Sequence, residues 1–128
     1  MSNKAILIVD DEAQIRDAFK MAFEQVGYST YLAESGEEAL DVLKTNNIHV
    51  MYLDLKLPGM NGLDLCRQIR KDQPISIIYA VTGYASIFEL RDCREAGFDD
   101  YFTKPVELGV LCRTAEEAFE KLSRWKRK

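Results

Sequence analysis

Histidine is almost missing from this chain: His49 is the only one in 128 residues. A zinc centre has little to work with, because the three cysteines, Cys66, Cys93 and Cys112, lie far apart and no two have zinc-ligand spacing. An odd, scattered set also offers no disulfide framework and reads as reduced thiols in a cytoplasmic protein. Long apolar runs are missing too. The N-terminal run Ala5-Ile6-Leu7-Ile8-Val9 is five residues long and ends in three acids. That is too short for a signal peptide or a membrane span. Positive charge is scarce except at one end. The net charge is −4, and four of the 17 basic residues lie in Arg124-Trp125-Lys126-Arg127-Lys128. Without them the balance is 13 basic against 21 acidic residues, or −8. The body is therefore a poor partner for a phosphate backbone, so neither nucleic acid nor a membrane is an expected partner. No repeat or low-complexity stretch is present.

What is there is alternation. Apolar runs at 5–9, 28–33, 50–53, 75–81 and 100–103 read as strands. Between them the apolar spacing turns helical, as at Ile15, Ala18, Phe19, Ala22 and Val26. Two capping boxes, Ser35 with Glu38 and Ser86 with Glu89, mark helix starts, and Asn61 can cap a third. Gly27 and Gly97 suit helix ends. A last helix is predicted from about Val106, with Leu108, Leu111, Ala115, Phe119 and Leu122 inward. Strand then helix, five times over, implies an α/β fold: a doubly wound, five-stranded parallel sheet with right-handed crossovers. The strand order is not readable from the pattern. A chain of this length suits one domain.

The polar residues that end the strands form a set. Asp10 and Asp11 end the first, Asp54 the third, Thr82 the fourth and Lys104 the fifth. In a parallel sheet these ends share one rim, where α/β proteins bind ligands. Three carboxylates there repel one another unless a cation offsets them. Oxygen ligands without histidine or cysteine favour Mg²⁺. Lys104 adds a positive point charge and Thr82 a hydroxyl. Together these are the parts of a phosphoryl-transfer site, with Asp54 as candidate nucleophile.

The stretches Ile6-Leu7-Ile8-Val9-Asp10-Asp11-Glu12, Leu53-Asp54-Leu55-Lys56-Leu57-Pro58-Gly59-Met60-Asn61-Gly62, Val81-Thr82-Gly83 and Tyr101-Phe102-Thr103-Lys104-Pro105 occur in that order. In these the chain resembles the receiver domain of bacterial two-component response regulators. The resemblance covers about residues 4–122. It implies the flavodoxin-like strand order 2-1-3-4-5. It implies that Asp54 accepts a phosphoryl group from a sensor histidine kinase or a phosphotransfer protein. It implies that Asp10, Asp11, Asp54 and the backbone carbonyl of Lys56 hold Mg²⁺. Lys104 would pair with a phosphoryl oxygen, across a cis bond to Pro105. Thr82 and Tyr101 would act as the switch pair, and Lys56 and Tyr84 would tune the lifetime of the phosphoryl group. An output partner would bind helix 4, strand 5 and helix 5, and a homodimer on phosphorylation is a further possibility.

On this reading residues 1–123 are the receiver domain and 124–128 a basic tail. The domain is a cytoplasmic signalling switch rather than an enzyme with an external substrate, catalysing only its own phosphoryl transfer and autodephosphorylation. No output domain is expected within this sequence after the last helix, so the chain either binds a partner directly or is a receiver cut from a longer protein. The alternatives are a haloacid-dehalogenase-like phosphatase and a pseudo-receiver that works without phosphorylation. The first wants a second carboxylate two residues past the nucleophile, where Lys56 stands. The second usually lacks a key residue, and none is missing.

Overall fold

A computed structural model describes residues 4–83 and 86–126. The elements follow one another as β1 Ala5–Val9, α1 Ala13–Gln25, β2 Ser29–Ala33, α2 Gly36–Thr45, β3 Val50–Asp54, α3 Gly62–Asp72, β4 Ile77–Thr82, α4 Ile87–Ala96, β5 Asp100–Thr103 and α5 Leu108–Lys126. The strands form one parallel sheet in the order β2-β1-β3-β4-β5. The central strands β1, β3 and β4 are buried throughout, which is why they read as unbroken apolar runs. The edge strands β2 and β5 are half-buried or exposed over most of their length.

Side chains alternate across each strand and so feed two cores. Leu7, Val9, Met51, Leu53, Ile78 and Ala80 face the layer of α2, α3 and α4, against Ala39, Leu65, Cys66, Ile69, Cys93 and Ala96. Ile6, Ile8, Val50, Tyr52, Tyr79 and Val81 face α1 and α5, against Phe19, Phe23, Leu111, Ala115 and Leu122. The second core is largely aromatic: Tyr52 lies 5.3 Å from Phe23, 5.0 Å from Tyr79 and 6.3 Å from Phe102 between ring centres. Its hydroxyl donates to the Leu111 carbonyl at 3.2 Å and lies 2.8 Å from Thr114 Oγ1, so β3 is tied directly to α5. Cys66 and Cys93 are buried as small hydrophobes, and burial pushes the Cys66 thiol up to about 12.

The local start and stop signals hold. Ser35, Asn61 and Ser86 each accept from the backbone N–H three residues on. Gly97 is left-handed, at φ 106°, after α4. Boundaries shift where a turn overrides a run. Ile75 is 56% exposed, because Ser76 N–H bonds back to Gln73 and β4 begins only at Ile77. Val26 caps α1 and is exposed. Leu108 opens α5 but faces solvent, while Val106 ahead of the helix packs against the core in its place.

Candidate functional site

The alternation that sorts the cores also builds the site. Asp10 follows Ile6 and Ile8 by even steps, Asp54 follows Val50 and Tyr52, and Lys104 follows Phe102. All three continue the face that packs on α1 and α5. They meet above the aromatic layer. Lys104 Nζ lies 2.9 Å from Asp10 Oδ2, 3.4 Å from Asp54 Oδ2 and 3.5 Å from Glu12 Oε1. Asp10 and Asp54 are buried, at 2% and 5% exposure, whereas Asp11 and Glu12 stand at the open rim. The lysine is closer to Asp10 than to Asp54.

Backbone groups complete the frame. Asp10 Oδ1 accepts from Glu12 N–H at 2.9 Å, and Asp54 Oδ1 accepts from Lys56 N–H at 3.2 Å. Lys56 itself is exposed. Thr82 is buried at the end of β4, and its carbonyl accepts from Lys104 N–H at 2.8 Å, joining the fourth strand end to the lysine. Tyr101 is 40% exposed on β5, beside a surface groove of about 400 Å³ shared with Phe102, Pro105, Val106 and Val110. Lys104–Pro105 is cis, as the resemblance implies. Tyr84 lies outside the described residues.

The electrostatics follow from this crowding. Burial, and then the charge of Asp10, push the Asp54 carboxyl above the usual carboxylate range, against the opposing pull of Lys56 N–H and Lys104. For Lys104, burial works downward, but the bond to Asp10 and the charges of Asp54, Asp10 and Glu12 outweigh it and raise its pKa. Two buried carboxylates therefore share one lysine, with two more acids at the rim. Oxygens of Asp10, Asp11 and Glu12 lie within 4.8 Å of one another. This all-oxygen donor set, short of positive charge, fits a hard divalent cation such as Mg²⁺. Glu12 was not among the ligands expected from the sequence, although it is the third acid of one run.

A second residue of the site carried no sequence signal beyond its position in a motif. Gly62 opens α3 and donates to the Leu55 carbonyl at 2.9 Å. A Cβ there would strike the carbonyl of Asp54 and come within 2.8 Å of Leu55 Cα. Gly62→Ala is therefore expected to destabilise the domain by about 1–3 kcal/mol. A denaturant titration checks this, and an unchanged midpoint would contradict the close approach.

Comparison with known proteins agrees with this geometry. The family model described as "Response regulator receiver domain" matches residues 6–116. Response regulator MprA of Mycobacterium sp. (strain KMS) is 37% identical over 106 residues, covering 83% of this chain and 46% of that protein. A cyclic di-GMP phosphodiesterase of Thermotoga maritima is 34% identical over 106 residues, covering 83% of this chain but 28% of that protein. The chain thus spans about half or less of these relatives. Among solved structures, a CheY-like receiver domain protein from Methanospirillum hungatei JF-1 superposes with a TM-score of 0.92 at 33% identity, over 96% of this chain and 98% of that one. Sheet order, the acidic strand ends and the family match all agree, and do not favour the phosphatase alternative; the chain belongs to the response regulator receiver domain family.

Proposed function

We propose that this domain takes a phosphoryl group onto Asp54 from the phosphohistidine of a sensor kinase or phosphotransfer protein, and that the acyl phosphate switches its binding of an output partner. The family is one of two-component signalling switches, whose members generally bind Mg²⁺ at an acidic pocket and work with histidine kinases or phosphotransfer proteins. The observation that carries the reading for this chain is the convergence of Asp10 and Asp54, both buried, on Lys104.

In the transfer an Asp54 carboxylate oxygen attacks phosphorus, the P–N bond breaks, and the imidazole leaves with a proton. Water later attacks the same phosphorus and returns the carboxylate and inorganic phosphate. Asp10, Asp11, Asp54 and the Lys56 carbonyl, with Glu12 beside them, would hold Mg²⁺, which supplies charge stabilisation to the phosphoryl oxygens. Lys104 is held within 3.4 Å of Asp54 and can pair with a phosphoryl oxygen. Thr82 bonds the new anion, and Tyr101 on the exposed edge strand follows it, so that α4, β5 and α5 carry the change to the partner or to a second copy. Residues 1–123 form the switching unit on this reading, with 124–128 a basic tail, although α5 continues through Lys126. No described helix is long and apolar enough to cross a membrane, which suits a cytoplasmic site of action.

Incubation with Mg²⁺ and a small acyl phosphate, followed by intact mass, tests the reading: one phosphate is expected, and none after EDTA. On this reading Lys56 and Tyr84 tune the lifetime of the phosphoryl group, so Tyr84→Ala should lose phosphate several-fold faster. An unchanged or slower rate would remove Tyr84 from that role.

A further inference from the structure

The turn from β1 into α1 carries three acids but has no cap of its own. Glu12 is the N-cap residue of α1, yet its side chain makes no capping bond and instead lies near Lys104. Asp10 N–H is taken by Ala33 of β2, at 3.1 Å. The Asp10 carbonyl lies past the end of β1, and among the described residues no backbone N–H outside the helices and strands is bonded to it. Among the described residues its donor is the Arg16 side chain: Nη1 lies 2.8 Å away. The other guanidinium nitrogen, Nη2, lies 3.5 Å from Glu34 Oε1. Glu34 begins the turn into α2, where its own N–H is held by Glu38. The Arg16 side chain is only 14% exposed, whereas Glu34 is 66% exposed, so the guanidinium is sheltered at its carbonyl end and open at its carboxylate end.

We propose that Arg16 is the positioning residue of the cation centre: by holding the Asp10 carbonyl it fixes the Asp10–Asp11 peptide, and with it the directions of the carboxylates that hold the cation. The inference rests on the reading of Asp10 and Asp11 as cation ligands given above. A guanidinium suits the task because its planar fork bonds two acceptors in a fixed relation, here a carbonyl of one strand-end turn and a carboxylate of the next. A lysine has the charge and reach for one of these acceptors. Without either, the turn keeps its acids but loses the constraint on where they point. Partners that orient metal ligands typically contribute about 10–100-fold in metal affinity.

The test is calorimetric titration of Mg²⁺ alone into the wild-type chain, Arg16→Gln, Arg16→Lys and Asp11→Asn, with circular dichroism and thermal unfolding in EDTA to establish folding. The expected result is that Asp11→Asn abolishes binding, that folded Arg16→Gln binds about 10–100-fold more weakly, and that Arg16→Lys falls between it and the wild type. A folded Arg16→Gln with wild-type affinity overturns the proposal. Should Arg16→Gln not fold, Arg16→Lys decides: a several-fold loss supports the proposal, and wild-type affinity overturns it. Undiminished binding in Asp11→Asn, or no binding by the wild type, overturns the cation-ligand reading itself and the proposal with it. The two failures are therefore told apart by the Asp11 variant.

Discussion

Asp54→Asn is expected to take up no phosphate under conditions where the wild type takes one, and to be the more stable protein at neutral pH when divalent cations are absent. The first effect follows from chemistry: an amide oxygen is not the carboxylate nucleophile the transfer needs. The second follows from burial. The folded-state pKa of Asp54 is raised, first by burial and then by the charge of Asp10. A group whose pKa rises on folding contributes stability that is fully present below its unfolded-state pKa and is lost as pH rises through the folded one. At neutral pH the ionised carboxylate is therefore a net cost to the metal-free fold. Asparagine keeps an acceptor for Lys56 N–H and carries no charge. The stability gap between the two proteins should accordingly open with rising pH, starting at the unfolded-state pKa of the carboxyl and completing once the folded one is passed. Lys104 has its own, separate window: its raised pKa contributes stability that fades only at alkaline pH, as the lysine deprotonates. Intact mass measures the first effect and thermal unfolding across a pH series the second. Phosphate on Asp54→Asn would refute the acceptor assignment. An asparagine variant no more stable than the wild type at neutral pH would refute the electrostatic account.

Phe23→Ala should cost about 3–5 kcal/mol, the range for removing a fully buried aromatic side chain. Phe23 has no exposed surface and sits among Phe19, Tyr28 and Tyr52, with ring centres 6.4, 6.3 and 5.3 Å away. Its carbonyl also accepts from Tyr28 N–H, so the residue closes the link from α1 to β2. Against a total stability of about 5–15 kcal/mol for a domain, the loss is a large fraction, and at the low end of that range it reaches the unfolding threshold. Phe23→Leu, which keeps much of the volume, should lose far less. Denaturant unfolding of both variants measures the difference. A loss under about 1 kcal/mol for the alanine variant would show that the aromatic layer collapses around the gap and is not rigidly packed.

The elements were legible because their signals are local. A cap acts within one turn, so Ser35, Asn61 and Ser86 could be read as helix starts from a few residues each, and all three make the bond. The buried strands announced themselves as unbroken apolar runs, and the softer β2 as an edge. Ile75, Leu108 and Val26 show where this reading stops. Each is apolar and adjoins an apolar element, yet each faces solvent, because hydrophobicity says that a side chain prefers burial and not that a turn will let it reach the core.

The residue types at the strand ends, and the right-handed alternation that brings them to one rim, were determined by the sequence alone: Asp10, Asp11, Asp54, Thr82 and Lys104 stand where regular elements must stop. Tertiary structure decided how they pair. Lys104 is 50 residues from Asp54 and 92 from Glu12, and nothing local says that it leans on Asp10 instead. The same holds for Gly62 packed on the Asp54 backbone and for Arg16 reaching across to the Asp10 carbonyl. The physical reason is range. Propensity and capping act over a few residues, whereas the distances inside a charged site are set by strand register and by which face of each strand its side chains continue, and these exist only once the sheet has formed.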